Sequence, residues 1–160
     1  MNKAQQILIE LDEFDSSDIF IPKGNLGIER RDMPQVEEKN LVEFVKWLKA
    51  QGVAVKLGKV SAKTLKPIQK EIRSDQVKDM AAKDSPKLKK PVLIAKKDNY
   101  IIDGHHRWLG RLEQDKNADV DAYQIDMKIK DFLNLAMKSS LVVYKDTSNK
   151  VYDQPLVKRY

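Results

Sequence analysis

Residues 100–108 read YIIDGHHRW, and this stretch joins an apolar segment to a polar cluster through a glycine. The apolar part predicts a strand, Gly104 predicts a sharp turn, and the residues that follow have the spacing of a helix. His105 and His106 are the only two histidines of the chain. Because a helix start leaves backbone N–H groups without intrahelical acceptors, the stretch predicts a site for phosphate or another small anion.

Each polar residue of this stretch has a chemical role that its type allows. Gly104 lets the backbone approach a ligand closely, and the planar guanidinium of Arg107 matches phosphate oxygens. His105 and His106 can donate to a phosphate or transfer a proton near neutral pH. Asp103 can hold a magnesium ion or a ribose hydroxyl, although an aspartate here is equally suited to cap the helix. A histidine packed in the core and an Arg107 paired with an acid are the simpler alternatives.

A second polar cluster lies around a lysine–proline pair. Residues 65–73 read LKPIQKEIR and bring several charged and amide side chains close to a proline turn. Glu71 is a candidate general base or metal ligand, Gln69 is a candidate for orienting a substrate, and Lys66 is a candidate phosphate ligand. A polar loop that leads into the next helix is the alternative interpretation.

Composition limits the class of protein. A chain of 160 residues with 41% hydrophobic and 34% charged residues predicts one soluble domain with extensions. The absence of cysteine excludes disulfides and thiol chemistry, and two histidines alone do not predict a zinc site. No apolar run reaches the length of a membrane span, and the first residues lack the apolar segment of a secretory signal. We therefore expect a cytoplasmic protein without a membrane partner.

Positive charge is concentrated before the glycine turn. The net charge is +6, from 30 Lys and Arg against 24 Asp and Glu. Six lysines lie between residues 83 and 97, namely Lys83, Lys87, Lys89, Lys90, Lys96 and Lys97. Such a loop predicts a surface that attracts nucleotides or the backbone of DNA. A solvated lysine-rich loop is the alternative.

Periodicity and turn residues divide the chain into three parts. Residues 1–52 predict a short helix, an extended arm over 15–34 and an amphipathic helix over 36–51. Residues 53–127 alternate strands and helices, and residues 128–160 predict one further helix and a polar tail. The pattern indicates a mixed α/β fold, and the arm is a candidate surface for a protein partner.

Together these segments resemble the ParB/sulfiredoxin superfamily, whose members bind nucleotide phosphates at a Gly-x-x-Arg turn that begins a helix. Residues 102–108 look like the Asp-Gly-His-His-Arg form of this turn, which occurs in ParB-like free-serine kinases and in many phage-encoded ParB-like proteins. The Lys66–Pro67 turn with Gln69 and Glu71 matches the first element of the superfamily. The resemblance covers about residues 53–127.

This resemblance implies a small mixed sheet with flanking helices, plus helical N- and C-terminal extensions. It also implies that the turn binds ATP, ADP or CTP with Mg²⁺ and acts as a phosphotransferase or nucleotide hydrolase, in a host cytoplasm if a phage encodes the chain. Gln69 stands where the kinases carry a catalytic glutamate, so Glu71 would have to replace it. A DNA-binding ParB-like nuclease and a non-catalytic assembly or adaptor module are the two alternative functions.

Overall fold

The structure of this chain is a computed structural model that describes residues 4–7, 25–70 and 72–160. Residues 4–7 are helical, and Ala4 and Ile7 are buried. Glu71, the rest of the predicted first helix and the part of the predicted arm before Asn25 lie outside the described residues.

Apolar residues at helical spacing form four further α-helices. They are α1 (Leu41–Ala50), α2 (Ser74–Ala82), α3 (His105–Gln114) and α4 (Ile129–Ala136). Short 3-10 turns occupy Arg30–Asp32, Glu38–Asn40, Ala62–Thr64 and Pro86–Lys89. Within the described ranges, none of the helices combines the length and apolar character that crossing a bilayer requires.

Five strands form a mixed sheet, and two short strands form a separate hairpin. The sheet contains β1 (Val55–Ser61), β2 (Lys66–Pro67), β3 (Val92–Ala95), β4 (Tyr100–Asp103) and β5 (Asp119–Ile125), in the order β1-β5-β3-β4-β2. The β1/β5 and β3/β4 pairs are antiparallel, whereas β5/β3 and β4/β2 are parallel. The hairpin pairs β6 (Tyr144–Lys145) with β7 (Val151–Tyr152). The mixed α/β fold predicted from the sequence is confirmed.

The sheet separates two apolar clusters. Alternate residues of β3 enter different clusters, because successive side chains of a strand point to opposite faces. Val92 and Ile94 join the cluster of Trp108, whereas Leu93 joins the cluster of Phe44. Helices α2 and α3 supply side chains to the first cluster, and α1 and α4 supply them to the second. Burial on both faces explains why β3 is a continuous apolar run.

The turn between β4 and α3 requires a glycine for two independent reasons. Gly104 has φ +106°, a left-handed conformation that side chains rarely adopt. A Cβ at this position would also lie 2.6 Å from Val92 Cγ1 and 2.7 Å from Arg107 Nη2. The close approach packs the start of α3 against β3.

We expect Gly104→Ala to lower the free energy of unfolding by roughly 2–4 kcal/mol, since it adds backbone strain and a steric overlap. Gly52→Ala is the matched control, because Gly52 has φ +82° and a methyl group added there would meet nothing within 4 Å. The free energy of unfolding of the control should fall only by the cost of backbone strain, about 1–2 kcal/mol. Urea denaturation measures both losses, and equal losses in the two variants would contradict the packing contribution at Gly104.

Candidate functional site

Parallel pairing of β2 and β4 brings the two predicted polar clusters together. Lys66 pairs with Tyr100 and Pro67 with Ile101, so both strands run in the same direction. The residues that follow β2 therefore lie beside the residues that follow β4. As a result, the segment after Pro67 contacts the start of α3, which is the Gly104 turn.

His105 connects these two segments inside the protein. Its side chain is 2% exposed, and its Nε2 accepts hydrogen bonds from the backbone N–H groups of Ile68 (3.0 Å) and Gln69 (3.3 Å). Burial lowers the pKa of His105 to about 3, and the charges of His106 and Arg107 add to this effect. The ring is therefore neutral at pH 7 and carries its proton on Nδ1. Nδ1 is buried and has no hydrogen-bond partner among the described residues.

His106 makes a similar connection to α2. Its Nε2 accepts a hydrogen bond from the backbone N–H of Arg73, the residue before α2, at 3.2 Å. Burial lowers the pKa of His106 to about 4, with smaller contributions from the positive charges of Arg30 and Arg73. This ring is also neutral at pH 7. Both histidines thus hold backbone segments in place, and the buried, hydrogen-bonded ring of His105 agrees with the alternative of a histidine packed in the core.

The two histidines predict a loss of stability in acid. Both are neutral in the folded protein down to about pH 4, whereas the ordinary histidine pKa is 6.5. Between about pH 6.5 and pH 4 the unfolded chain therefore binds more protons. The free energy of unfolding is at its full value above pH 6.5 and decreases as the pH falls, by up to about 1.4 kcal/mol per pH unit for each histidine.

Asp103 changes the free energy of unfolding in the opposite direction as the pH falls. Burial raises its pKa, so the folded state takes up the proton more readily than the unfolded state. Urea denaturation at pH 7.5 and pH 5.0 measures the balance between the histidines and Asp103. We expect a lower free energy of unfolding at pH 5.0. Equal values at the two pH values in Asp103→Asn, which lacks the opposing contribution of Asp103, would contradict the neutral, buried state of the histidines.

Asp103 stabilises the turn through backbone contacts. Its Oδ2 accepts a hydrogen bond from the backbone N–H of Val36 at 3.5 Å, and the backbone N–H of Gly104 favours the charged form of the carboxyl and so acts to lower its pKa. Burial raises the pKa of Asp103, and the nearby Arg107 guanidinium partly opposes this rise. No group of three or more His, Cys, Asp or Glu side chains in the described ranges is positioned to hold a metal ion. Magnesium binding by Asp103 stays a prediction.

Arg107 and His106 line different pockets. One of its Nη2 hydrogens is directed at the Pro91 carbonyl oxygen, 3.4 Å away, and its Nε is buried without a partner in the described part of the chain. Arg107 lines a pocket of about 320 Å³ together with Asp103, Glu38 and other residues. His106 lines a different and larger pocket. The structure therefore divides the predicted phosphate ligands between two sides of the turn.

The larger pocket, called the basic pocket below, has a volume of about 520 Å³. Four parts of the chain form its walls: residues 29–31, the segment from Gln69 to Gln76, His106, and the loop between β6 and β7. Its lining residues are Glu29, Arg30, Arg31, Gln69, Lys70, Ile72, Arg73, Gln76, His106, Asp146, Thr147 and Asn149.

Positive charge exceeds negative charge among the described residues that line the basic pocket. Four of them are basic and two are acidic. The carboxylate of Asp146 is engaged in its own loop, where it accepts hydrogen bonds from Ser148, Lys150 and Tyr152. These hydrogen bonds, above all the one from the Ser148 hydroxyl, lower the pKa of Asp146. The other acid, Glu29, lies 3.9 Å from the Lys70 ammonium. The lining therefore suits an anionic ligand.

The arginines of the pocket wall differ in how far the protein already engages them. Arg30 donates from Nη2 to the Asn149 side-chain oxygen at 3.3 Å, and its Nε is buried without a partner in the described ranges. Arg73 forms an exposed ion pair with Asp75 at 3.1 Å. Arg31 donates to the Gln154 carbonyl oxygen at 2.7 Å. Arg30 thus retains hydrogen-bonding capacity for a ligand.

The sequence analysis did not include Arg30, Arg31 or Arg73 among the site residues. Arg30 and Arg31 lie in the segment interpreted as an arm, and the available signal was two adjacent arginines in an otherwise linker-like sequence. Backbone contacts explain the difference. This end of the arm packs on the domain, since the Lys70 N–H donates to the Ile28 carbonyl oxygen at 2.8 Å.

The remaining predicted site residues have three different locations. Gln69 is 7% exposed and lines the basic pocket. Lys66 lies beside the start of β4, at the far end from Gly104, and its ammonium is 4.2 Å from the centre of the Tyr100 ring. Glu71 lies outside the described residues.

The lysines between residues 83 and 97 are spread over the surface. Lys90 precedes β3 and pairs with Glu38 at 2.7 Å, whereas Lys96 and Lys97 follow β3 at its opposite end. Lys83 pairs with Asp79 at 2.9 Å. DNA contact by this loop stays a prediction.

Comparison of the chain with protein-family models, with curated proteins and with solved structures gives no match. The similarity to the ParB/sulfiredoxin superfamily therefore stays a prediction from the motif. Function has to be inferred from the geometry of the basic pocket and of the Gly104 turn.

Proposed function

We propose that this chain binds a phosphate-bearing small molecule, with a nucleotide as the expected ligand, in the basic pocket. The observation that carries the proposal is the convergence of four basic side chains from two separate segments on one pocket, against two acids among the described lining residues. A volume of about 520 Å³ lies within the usual range of small-molecule sites. Guanidinium groups bind phosphate oxygens through paired hydrogen bonds, which favours phosphate over a simple monovalent anion.

In this proposal the ligand-binding charges come from Arg30, Lys70 and Arg73. Arg30 lines the pocket, so its guanidinium can pair with phosphate oxygens bound there. His106 contributes a neutral ring whose proton is on Nδ1, because Nε2 already accepts the Arg73 N–H. Gln69 offers an amide to an uncharged part of the ligand.

The Gly104 turn has a supporting role in the same proposal. His105 fixes the backbone of Gln69, and His106 fixes the backbone of Arg73, so the turn positions one wall of the pocket at two points. A nucleotide would be expected to carry Mg²⁺ bound largely by its own phosphates and water. Phosphoryl transfer and nucleotide hydrolysis are implied only by the resemblance of the motif. The lining of the basic pocket supports binding of a phosphate-bearing ligand.

A thermal-shift experiment tests the proposal. We expect ATP, ADP, CTP or GTP with Mg²⁺, or inorganic pyrophosphate, to raise the melting temperature of the chain. A ligand at about 100 times its Kd adds about 2.7 kcal/mol, which corresponds to roughly 5–10 °C for a chain of this length. No shift with any of these compounds up to millimolar concentration would contradict the proposal.

A further inference from the structure

The segment after β7 is ordered by polar contacts. Residues 153–160, called the strap below, contain neither helix nor strand. Leu156, in the middle of the segment, is 70% exposed, whereas Pro155 and Val157 are half-buried. The hydrogen bonds of the strap lead to two places: the turn Arg30–Asp32 at the rim of the basic pocket, and α4 with the residues just after it.

Asp32 is the main contact of the strap with the pocket wall. Its Oδ1 accepts the backbone N–H groups of Leu156 at 2.6 Å and of Val157 at 3.3 Å. The Tyr160 hydroxyl donates to the Asp32 backbone carbonyl oxygen. The strap therefore contacts both the side chain and the backbone of the residue that ends the Arg30–Asp32 turn.

Arg31 adds a second connection from the same turn. It donates from Nη1 to the Gln154 carbonyl oxygen at 2.7 Å, and its guanidinium carbon lies 3.6 Å from the centre of the Tyr152 ring. Hydrogen bonds to charged groups are among the stronger ones in proteins. The chain from Tyr152 through the strap thus contacts both Arg31 and Asp32. Arg30 directly precedes them in the same turn.

The far side of the strap is attached to the core of the domain. The Tyr160 N–H donates to the Asn134 side-chain oxygen at 2.8 Å, and the Gln154 side-chain nitrogen donates to the Met137 carbonyl oxygen at 3.1 Å. Asn134 belongs to α4, which packs through Phe132 into the second apolar cluster. The strap consequently links the turn Arg30–Asp32, called the arginine wall below, to a buried helix.

We infer that the strap positions the arginine wall of the basic pocket, with Asp32 as the positioning residue, and that ligand binding and strap docking are coupled. The inference rests on the proposed function and adds how the site is assembled. A ligand that binds better when the strap is docked must also favour docking by the same factor, because coupling between two sites is reciprocal. The basic pocket would then be complete only when the strap is docked on the turn Arg30–Asp32.

Two variants of Asp32 test the positioning role with pyrophosphate as the probe. Asp32→Ala removes the acceptor of the Leu156 and Val157 N–H groups, whereas Asp32→Asn keeps an acceptor oxygen. Both remove one negative charge, so electrostatic attraction of the probe changes equally. We expect Asp32→Ala to bind pyrophosphate at least about 5-fold more weakly than Asp32→Asn, which is the lower end of typical coupling. Titration calorimetry gives both dissociation constants.

Hydrogen–deuterium exchange of the unmutated chain tests the coupling without a variant. We expect saturating pyrophosphate to slow exchange at the Leu156 and Val157 amides by the same factor of about 5 or more. Equal affinities of the two variants, or exchange that saturating pyrophosphate leaves unchanged, overturns the inference and leaves the proposed function standing. Failure of the unmutated chain to bind pyrophosphate or any nucleotide overturns both.

Discussion

Replacing His105 by alanine should lower the free energy of unfolding by roughly 3–5 kcal/mol. The substitution removes a fully packed ring and leaves a cavity between α3 and the segment after β2. It also leaves the N–H groups of Ile68 and Gln69 without their acceptor in a buried place, at a cost of about 1–3 kcal/mol for each unsatisfied group. Urea denaturation at pH 7.5 measures the loss.

His106→Ala is the matched control for this prediction. His106 accepts a single backbone N–H, that of Arg73, and lies in a more accessible position at the basic pocket. We expect a smaller loss, about 1–2 kcal/mol, for one hydrogen bond. A loss for His105→Ala no larger than that for His106→Ala would contradict the view that His105 joins the two polar segments.

The double substitution Arg30→Ala and Arg73→Ala should weaken pyrophosphate binding at least about 100-fold. Each charge-assisted hydrogen bond contributes about 1.5–3 kcal/mol, and the two arginines come from different segments that line the pocket. The exposed ion pair of Arg73 with Asp75 adds little stability, so the variant should remain folded. Titration calorimetry at fixed ionic strength measures the change in Kd.

Arg107→Ala distinguishes a phosphate site in the basic pocket from the phosphate site at Arg107 that the motif predicts. The motif interpretation makes Arg107 the main phosphate ligand, whereas Arg107 lines the smaller pocket on the other side of the turn. We expect Arg107→Ala to change the Kd of pyrophosphate less than about 3-fold. Loss of binding in Arg107→Ala, with normal binding in the double variant, would place the ligand at the smaller pocket.

Much of the fold could be predicted because burial imposes a period on the sequence. The apolar positions after Gly104 repeat at helical spacing and predict a helix from His105 to about Gln114, which are the bounds of α3. Residues 97–99 read KDN, which is typical of a hairpin turn and predicts that the apolar runs on either side pair antiparallel, as β3 and β4 do. Both signals are local, since neighbouring residues alone produce them.

The site could be predicted only in part, because its geometry depends on long-range pairing. His106 and Gln69, which belong to the two predicted polar clusters, line the same pocket, and their roles in binding stay predictions. Parallel pairing of β2 with β4 has no local signature, although it decides that His105 faces Ile68 and that Lys66 lies at the far end. The return of the arm to the domain at Arg30 has no local signature either.

The most direct test of the account is a calorimetric titration of the unmutated chain with pyrophosphate at low ionic strength, repeated with rising salt. We predict saturable binding of one pyrophosphate per chain that weakens as salt is added, because basic side chains of a partly open pocket supply the attraction. Absence of saturable binding up to millimolar pyrophosphate would contradict the existence of a phosphate site in the basic pocket.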